Sequence, residues 1–209
     1  MTVNVIDRQA HWQTVYRTRA ADSFSWYRPH LQTSLELLDI AGLSVDSHLI
    51  DIGGGASTLV DDLLDRRLNK VSVLDISARA LAIAQYRLGD RGQQVSWIVG
   101  DVLQAVLPAG GFGYWHDRAV LHFLTETSDA VRYAQQAARA VQSGGYALIS
   151  GFAPDGPDKC SGLPVARRSA DDVAAIFAPE FVLLEQRAEV HVTPAGAEQS
   201  FAYALLRRT

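Results

Sequence analysis

Leu49-Ile50-Asp51-Ile52-Gly53-Gly54-Gly55-Ala56-Ser57-Thr58 is the stretch that decides how this chain folds. Leu49 to Ile52 is a short apolar run of the kind a buried parallel strand needs. Gly53 to Gly55 follow at once, and glycine both turns tightly and lets a ligand come against bare backbone. Ser57 or Thr58 then stands where it would cap a helix beginning near Leu59. A strand, a glycine turn and a helix N-terminus together make a seat for a nucleotide-like ligand. About 20 residues on, a second apolar strand, Val71 to Leu74, ends in Asp75, whose carboxylate suits the two hydroxyls of a ribose.

Two cofactor classes use this layout. A dinucleotide site wants G-x-G-x-x-G/A; counted from Gly53, the last position is Thr58, so the packing glycine is missing. Asp51-x-Gly53-x-Gly55 instead resembles the first motif of the class I S-adenosylmethionine (SAM)-dependent methyltransferases, an acidic residue followed by G-x-G-x-G. Ser57 replaces the last glycine, and a small residue is usually tolerated there. The resemblance covers roughly residues 30–209. It implies SAM as cofactor and a three-layer, Rossmann-like α/β fold. Its sheet would have seven strands, mostly parallel, with an antiparallel C-terminal hairpin and a reversed seventh strand.

The bulk properties agree with one soluble globular domain. The 209 residues suffice for one sizeable core and are short for two. The composition is 48% hydrophobic and 20% charged, and no stretch approaches a membrane span. A net charge of −4 without a basic tract disfavours nucleic acid as a partner. The single cysteine, Cys160, excludes an internal disulfide framework and a cysteine-rich zinc site. No His/Cys/Asp cluster has metal-ligand spacing, so no metal is expected. Met1 to Ala10 lacks the apolar core of a signal peptide, which makes the cytoplasm the expected compartment.

The elements follow from the apolar pattern. Residues 1–30 are rich in aromatic and polar side chains, among them Trp12, Tyr16, Phe24, Trp26 and Tyr27, and read as a helical flap over a pocket. Leu31 to Ile40 has near-helical spacing, ended by Gly42. Strands are expected at 48–52, 71–75, 95–99, 113–118 and 146–150. Helices are expected over about 58–67, after Ser77, over the stretch carrying Val131, Ala134, Ala138 and Val141, and near 170–178. A Gly- and Pro-rich loop spans Gly151 to Pro164. The strands 181–192 and 199–207 close the chain through the turn Thr193 to Gly196. Alternating strands and helices argue for a parallel sheet covered on both faces, and a final pair joined by a short turn must be antiparallel.

Ligands of open α/β sheets bind beyond the carboxyl ends of the strands. Asp51, Asp75, Asp101 and Asp117 all fall at such ends. By the resemblance, the cofactor is held by Asp51, Gly53, Gly55, Asp75 on the ribose, Ile76 against the adenine, and Asp101 with Val102 at its edge. Asp117 would lie under the methionine portion, and Trp26 would close over it. Asp117 and His122 are the candidate catalytic residues. His122 is placed to take a proton, or else packs on the sheet edge. Asp117-Arg118-Ala119-Val120 differs from the Asn/Asp-Pro-Pro-aromatic motif of the DNA and glutamine amino methyltransferases, so that substrate class is not expected. His116 reads as structural, and His191, Thr193 and Gln199 as turn chemistry.

The acceptor site would be shaped by the aromatic N-terminus and the 151–164 loop, with Cys160 a candidate contact. A small-molecule acceptor is favoured over a protein side chain. Trp26-Tyr27 before Pro29 is similar to a segment of protein-lysine methyltransferases. An NAD-dependent reductase and a non-catalytic SAM-binding partner module are the rival readings. The oligomeric state cannot be read from the sequence.

Overall fold

The computed structural model describes residues 7–209. The first six residues of the expected flap, and most of the stretch considered for a signal peptide, lie outside the described residues. The elements run α1 (Arg8–Thr18), α2 (Gln32–Ile40), β1 (His48–Ile52), α3 (Leu59–Asp65), β2 (Lys70–Asp75), α4 (Ala78–Leu88), β3 (Val95–Val99), β4 (Phe112–Arg118), α5 (Thr127–Ala140), β5 (Val141–Phe152), β6 (Lys159–Cys160), β7 (Leu163–Pro164), α6 (Ala170–Phe177), β8 (Phe181–Val192) and β9 (Glu198–Arg208). Seven strands form one sheet in the order β3-β2-β1-β4-β5-β9-β8. β1 to β5 are parallel, and β9 runs antiparallel to both β5 and β8. The seven-stranded Rossmann-like architecture with a reversed last strand is therefore the observed one. No helix among the described residues is long and apolar enough to cross a membrane.

Both faces of the sheet are covered. Ile50, Ile52, Trp115, Ala147 and Ile149 pack on one side with α5 and α6, while Leu49, Val71, Val73, Leu148 and Leu205 pack on the other with α2, α3 and α4. Each fully buried aliphatic side chain of this kind contributes roughly 1.5–3 kcal/mol. A third apolar cluster joins Tyr16 and Phe24 to Ala56 and Ala80, with Trp12 and Trp26 against them. It seats the N-terminal segment on the glycine turn and on the start of α4.

The structure differs from the sequence reading in four places. α3 ends at Asp65, because Arg67 has the left-handed φ of 61° and breaks the helix. β5 begins at Val141, since the Ser143 to Gly145 stretch continues into the strand. On α5, Val131 is 40% exposed and the buried stripe is Ala130, Tyr133, Ala134, Ala137 and Ala138. Small alanines let the helix lie close to the sheet, and Val131 stands one residue off that stripe. The 151–164 loop contains its own hairpin, β6 with β7, turned at Ser161 (φ 49°) and Gly162 (φ 81°). Two consecutive positive φ values match the twist that a two-residue hairpin requires.

Candidate functional site

A cleft opens at the carboxyl ends of β1, β2 and β4 and extends over β5 and β9. Its wall includes Trp26, Asp51, Gly53, Asp75, Ile76, Asp101, Val102 and His122. Of the cofactor-binding and catalytic candidates named from the sequence, only Gly55 and Asp117 are not part of that wall.

Gly55 acts from behind the wall. Its backbone approaches Asp75 so closely that a Cβ there would lie 2.5 Å from Asp75 Oδ2. Gly53 has φ 65° and donates its N–H to the Leu74 carbonyl at 2.7 Å, which ties the turn to the end of β2. The turn thus needs glycine at both places, for conformation at one and for close approach at the other. Thr58 makes no side-chain cap on α3, because its hydroxyl donates to the Arg28 carbonyl at 2.8 Å. Ser57 accepts the Leu59 N–H instead, at 3.2 Å.

Asp75 is 5% exposed and accepts the Ser77 N–H at 2.7 Å. Burial, with Asp51 nearby, raises its carboxyl to about 7, although hydrogen bonds from Ser77 and Gly55 oppose the rise. Asp51 accepts from His116 Nδ1 at 2.7 Å, and His116 Nε2 meets the Ser34 hydroxyl at 2.9 Å. The other oxygen of Asp51, Oδ2, is buried with no hydrogen-bond partner among the described residues. His116 is therefore a positioning residue that fixes Asp51 and also reaches the cleft wall. Asp101 accepts the Leu103 N–H at 2.9 Å, so one oxygen closes its own turn while the residue also lines the cleft.

Asp117 needs a correction as a cleft residue. It is completely buried, and its oxygens accept from Val120 N–H (2.7 Å), Leu121 N–H (2.9 Å) and the Tyr133 hydroxyl (2.5 Å). Burial raises its carboxyl to about 6, partly offset by those bonds. Its place is that of a cap: it holds the 3₁₀ turn Leu121–Phe123 that presents His122.

His122 is 3% exposed, and neither ring nitrogen has a partner among the described residues. Burial, with the charges of Arg168 and Arg118, lowers it to about 3, so the ring is neutral. It stands edge-on to Phe123 with ring centres 4.3 Å apart, and 5.0 Å from Phe152. Cys160 lies in the same wall, with its thiol pushed up to about 11 by burial.

The N-terminal segment lies over the strand ends in this structure. Trp12 of α1 meets Phe123 edge-on at 5.1 Å, and Trp26 stacks on Phe24 at 4.6 Å with the rings 4° from parallel. Arg8 pairs with Asp129 of α5 at 3.0 Å, and Gln13 Oε1 accepts from the Ser77 hydroxyl at 3.2 Å and the Arg79 N–H at 3.3 Å. α1 thereby bridges α4 and α5 above the strand ends. The 25–30 segment is held separately. His191 Nε2 donates to the Ser25 carbonyl at 2.6 Å, Arg28 pairs with Glu189 at 2.7 Å, and His30 meets Asp62 at 2.7 Å. His191 is thus a clamp rather than turn chemistry, whereas Thr193 does close its turn by accepting the Ala197 N–H at 3.0 Å.

The sequence reading missed Arg118, Gln199 and Phe201 as wall residues. Phe201 alternates with Ala202 and Tyr203 along β9, and alternation alone does not say which face meets a ligand. Among the described residues no group of three or more His, Cys, Asp and Glu side chains is arranged to hold a metal ion.

The family model described as a methyltransferase domain matches residues 49–145. No curated protein matches the sequence. Among solved structures, one from work on conversion of a disulfide bond into a thioacetal group during echinomycin biosynthesis is 22% identical. It aligns over 96% of this chain and 92% of its own, with a TM-score of 0.76. A SAM-dependent methyltransferase from Anabaena variabilis is 14% identical, over 98% of this chain and 96% of its own, with a TM-score of 0.74. The 1,6-didemethyltoxoflavin-N1-methyltransferase of Burkholderia thailandensis, solved with 1,6-didemethyltoxoflavin and S-adenosylhomocysteine, is 17% identical. It aligns over 96% of this chain and 84% of its own, with a TM-score of 0.68. At these identities the structures establish a shared fold.

Proposed function

We propose that this chain, whose residues 49–145 match the methyltransferase domain model, is a class I SAM-dependent methyltransferase that transfers a methyl group to a small-molecule acceptor. The observation that carries the choice of acceptor is the cover over the cleft: Trp12 meets Phe123 while α1 is tied to both α4 and α5. A cleft roofed in this way suits a small molecule, whereas a folded protein presenting a lysine needs a wide approach. The 1,6-didemethyltoxoflavin-N1-methyltransferase, crystallised with 1,6-didemethyltoxoflavin, lends support by analogy of fold.

The residues fit the cofactor. A Cβ at Gly53 would fall against the Val120 side chain and one at Gly55 would lie 2.5 Å from Asp75 Oδ2, so the bare backbone of the turn lets Val120 and Asp75 close in beside the cofactor seat. Asp75 would hold the ribose hydroxyls, Ile76 and Val102 the adenine faces, and Asp101 the adenine edge. Asp51 Oδ2, buried and without a partner, suits the ammonium group of the methionine portion. When bound, the cofactor supplies a methyl group that is already electrophilic on its sulfonium. The protein's part is to align the acceptor and exclude water. Trp12, Trp26 and Phe123 exclude water, and aromatic faces also favour a nearby cation. His122, held by the Asp117-capped turn, orients the acceptor with a neutral ring that donates at one nitrogen and accepts at the other.

Labelled SAM incubated with the protein and a cell extract, split into small-molecule and protein fractions, tests this reading. Label is expected in the small-molecule fraction. Label confined to protein would favour the lysine-methyltransferase reading, and binding of SAM without transfer to either fraction would favour a non-catalytic module.

A further inference from the structure

The acceptor side of the cleft holds a cation that has no carboxylate of its own. Arg118 leaves the end of β4 toward β9, away from the glycine turn. Its Nε donates to the Tyr203 hydroxyl at 3.3 Å, its Nη1 to the Trp26 carbonyl at 3.1 Å, and its guanidinium lies 4.5 Å above the Phe201 ring. Its Nη2 is buried and meets no acceptor among the described residues. The nearby carboxylate, Glu189, is engaged by Arg28 at 2.7 Å and accepts from the Tyr203 hydroxyl at 2.8 Å. Arg168, the other cation acting on His122, donates to the carbonyls of Leu121 and Leu124 at 3.0 and 2.8 Å. Glu189 is thus shared between Arg28 and Arg118, while Asp172 and Asp117 are the carboxylates that act on Arg168, and none of them accepts from Arg118 Nη2. Burying a charge is costly unless it is paired.

Around Nη2 the wall offers flat apolar surface and two further unused polar groups. Phe152 and Phe201 meet edge to face at 5.0 Å. Gln199 Oε1 is buried with no partner among the described residues, as are both nitrogens of His122. This combination asks for a planar ring, an anionic oxygen for the guanidinium, and a donor for the amide oxygen or imidazole.

From this we infer that the methyl acceptor is a small aromatic acid, its ring against Phe152 and Phe201 and its carboxylate on Arg118 Nη2. The inference rests on the methyl-transfer reading and names the substrate class for the same cleft. The alternative occupant of Nη2 is the carboxylate of the cofactor itself. Arg118's direction toward β9, three strands beyond β1 in the sheet, argues against it.

Benzoate, benzamide and benzylamine serve as probes in calorimetric titrations of the full chain saturated with S-adenosylhomocysteine. Benzoate is expected to bind at least about tenfold more tightly than benzamide, with benzylamine weakest. Arg118→Gln should abolish that preference and Arg118→Lys should keep part of it, while S-adenosylhomocysteine affinity stays within about twofold. Equal binding of benzoate and benzamide to the wild type, or no binding of benzoate, overturns the proposal without any variant having to fold. A loss of S-adenosylhomocysteine affinity in Arg118→Gln with benzoate preference intact overturns it too, by assigning Nη2 to the cofactor. Failure of the wild type to bind S-adenosylhomocysteine at all would be a failure of the methyl-transfer reading, separate from these outcomes.

Discussion

Asp75 occupies the space that a side chain on Gly55 would take: a Cβ there falls 2.5 Å from Oδ2 and 2.8 Å from the Cβ of Ala80. The missing side chain and the carboxylate are thus one device, which explains why Gly55 matters without touching the cleft. Gly55→Ala should displace Asp75 and weaken S-adenosylhomocysteine binding at least about tenfold, since each charge-assisted hydrogen bond contributes roughly 1.5–3 kcal/mol. Calorimetry is the check; unchanged affinity would remove Asp75 from the ribose role.

The ligand-free protein should respond to pH through the same carboxyl. Burial raises Asp75 from 3.8 to about 7 in the folded state. The stability linked to this group is fully present below the unfolded value and is lost as pH rises through about 7. Asp75→Asn should therefore be more stable than the wild type at pH 8, and the two should converge near pH 4. Urea unfolding at both pH values tests this, and a constant difference between them would contradict it. Asp117, raised to about 6, adds to the wild-type trend in the same sense but cancels in the comparison.

His122 sets a different expectation. A ring lowered to about 3 does not change charge between pH 5 and 9. The pH profile of kcat/KM should therefore carry no limb near 6.5 from this residue. Replacement by Phe keeps the packing against Phe152 but removes the nitrogens, so kcat/KM should fall at least about tenfold while cofactor affinity holds. A wild-type limb near 6.5 that vanishes in His122→Phe would show a ring exposed enough to titrate.

α1 is held by one small aromatic cluster and by the polar contacts of Arg8 and Gln13 and has no place in the two main cores, so it should open more readily than the sheet. Trypsin should cut after Arg17 or Arg19, which are exposed, in the ligand-free protein, and S-adenosylhomocysteine should slow that cut. The 25–30 segment, clamped by His191, Glu189 and Asp62, should stay protected in both states. Equal resistance of the Arg17 and Arg19 sites with and without ligand would mark α1 as a fixed layer of the fold.

Much of this was legible in the sequence because it depends on local order. The strand-glycine-helix pattern at 49–58 and the acidic residue ending β2 are fixed by neighbours in the chain, so the cofactor half of the cleft could be written down from residue numbers. Asp117 shows where such reading stops. A strand-end aspartate looks the same whether it faces a ligand or accepts from Tyr133, 16 residues away. Arg118 meets Tyr203 only through strand pairing, 85 residues away, and His191 reaches Ser25 over 166 residues. No local pattern encodes contacts of that separation.

The hairpin of β6 and β7 sits in a segment fastened at its ends by main-chain bonds: Ala153 N–H to the Ser200 carbonyl at 2.9 Å, Ala166 N–H to the His122 carbonyl at 2.8 Å, and Arg168 N–H to the Phe152 carbonyl at 3.0 Å. Those attachments do not depend on which side chains lie between them. Cys160 and its neighbours can accordingly be exchanged as a cassette, leaving the glycine turn and the strand-end carboxylates unchanged. A lineage built on this frame can diversify what it methylates by rewriting about a dozen residues, and a directed library confined to 155–165 would sample new acceptors while leaving the sheet intact.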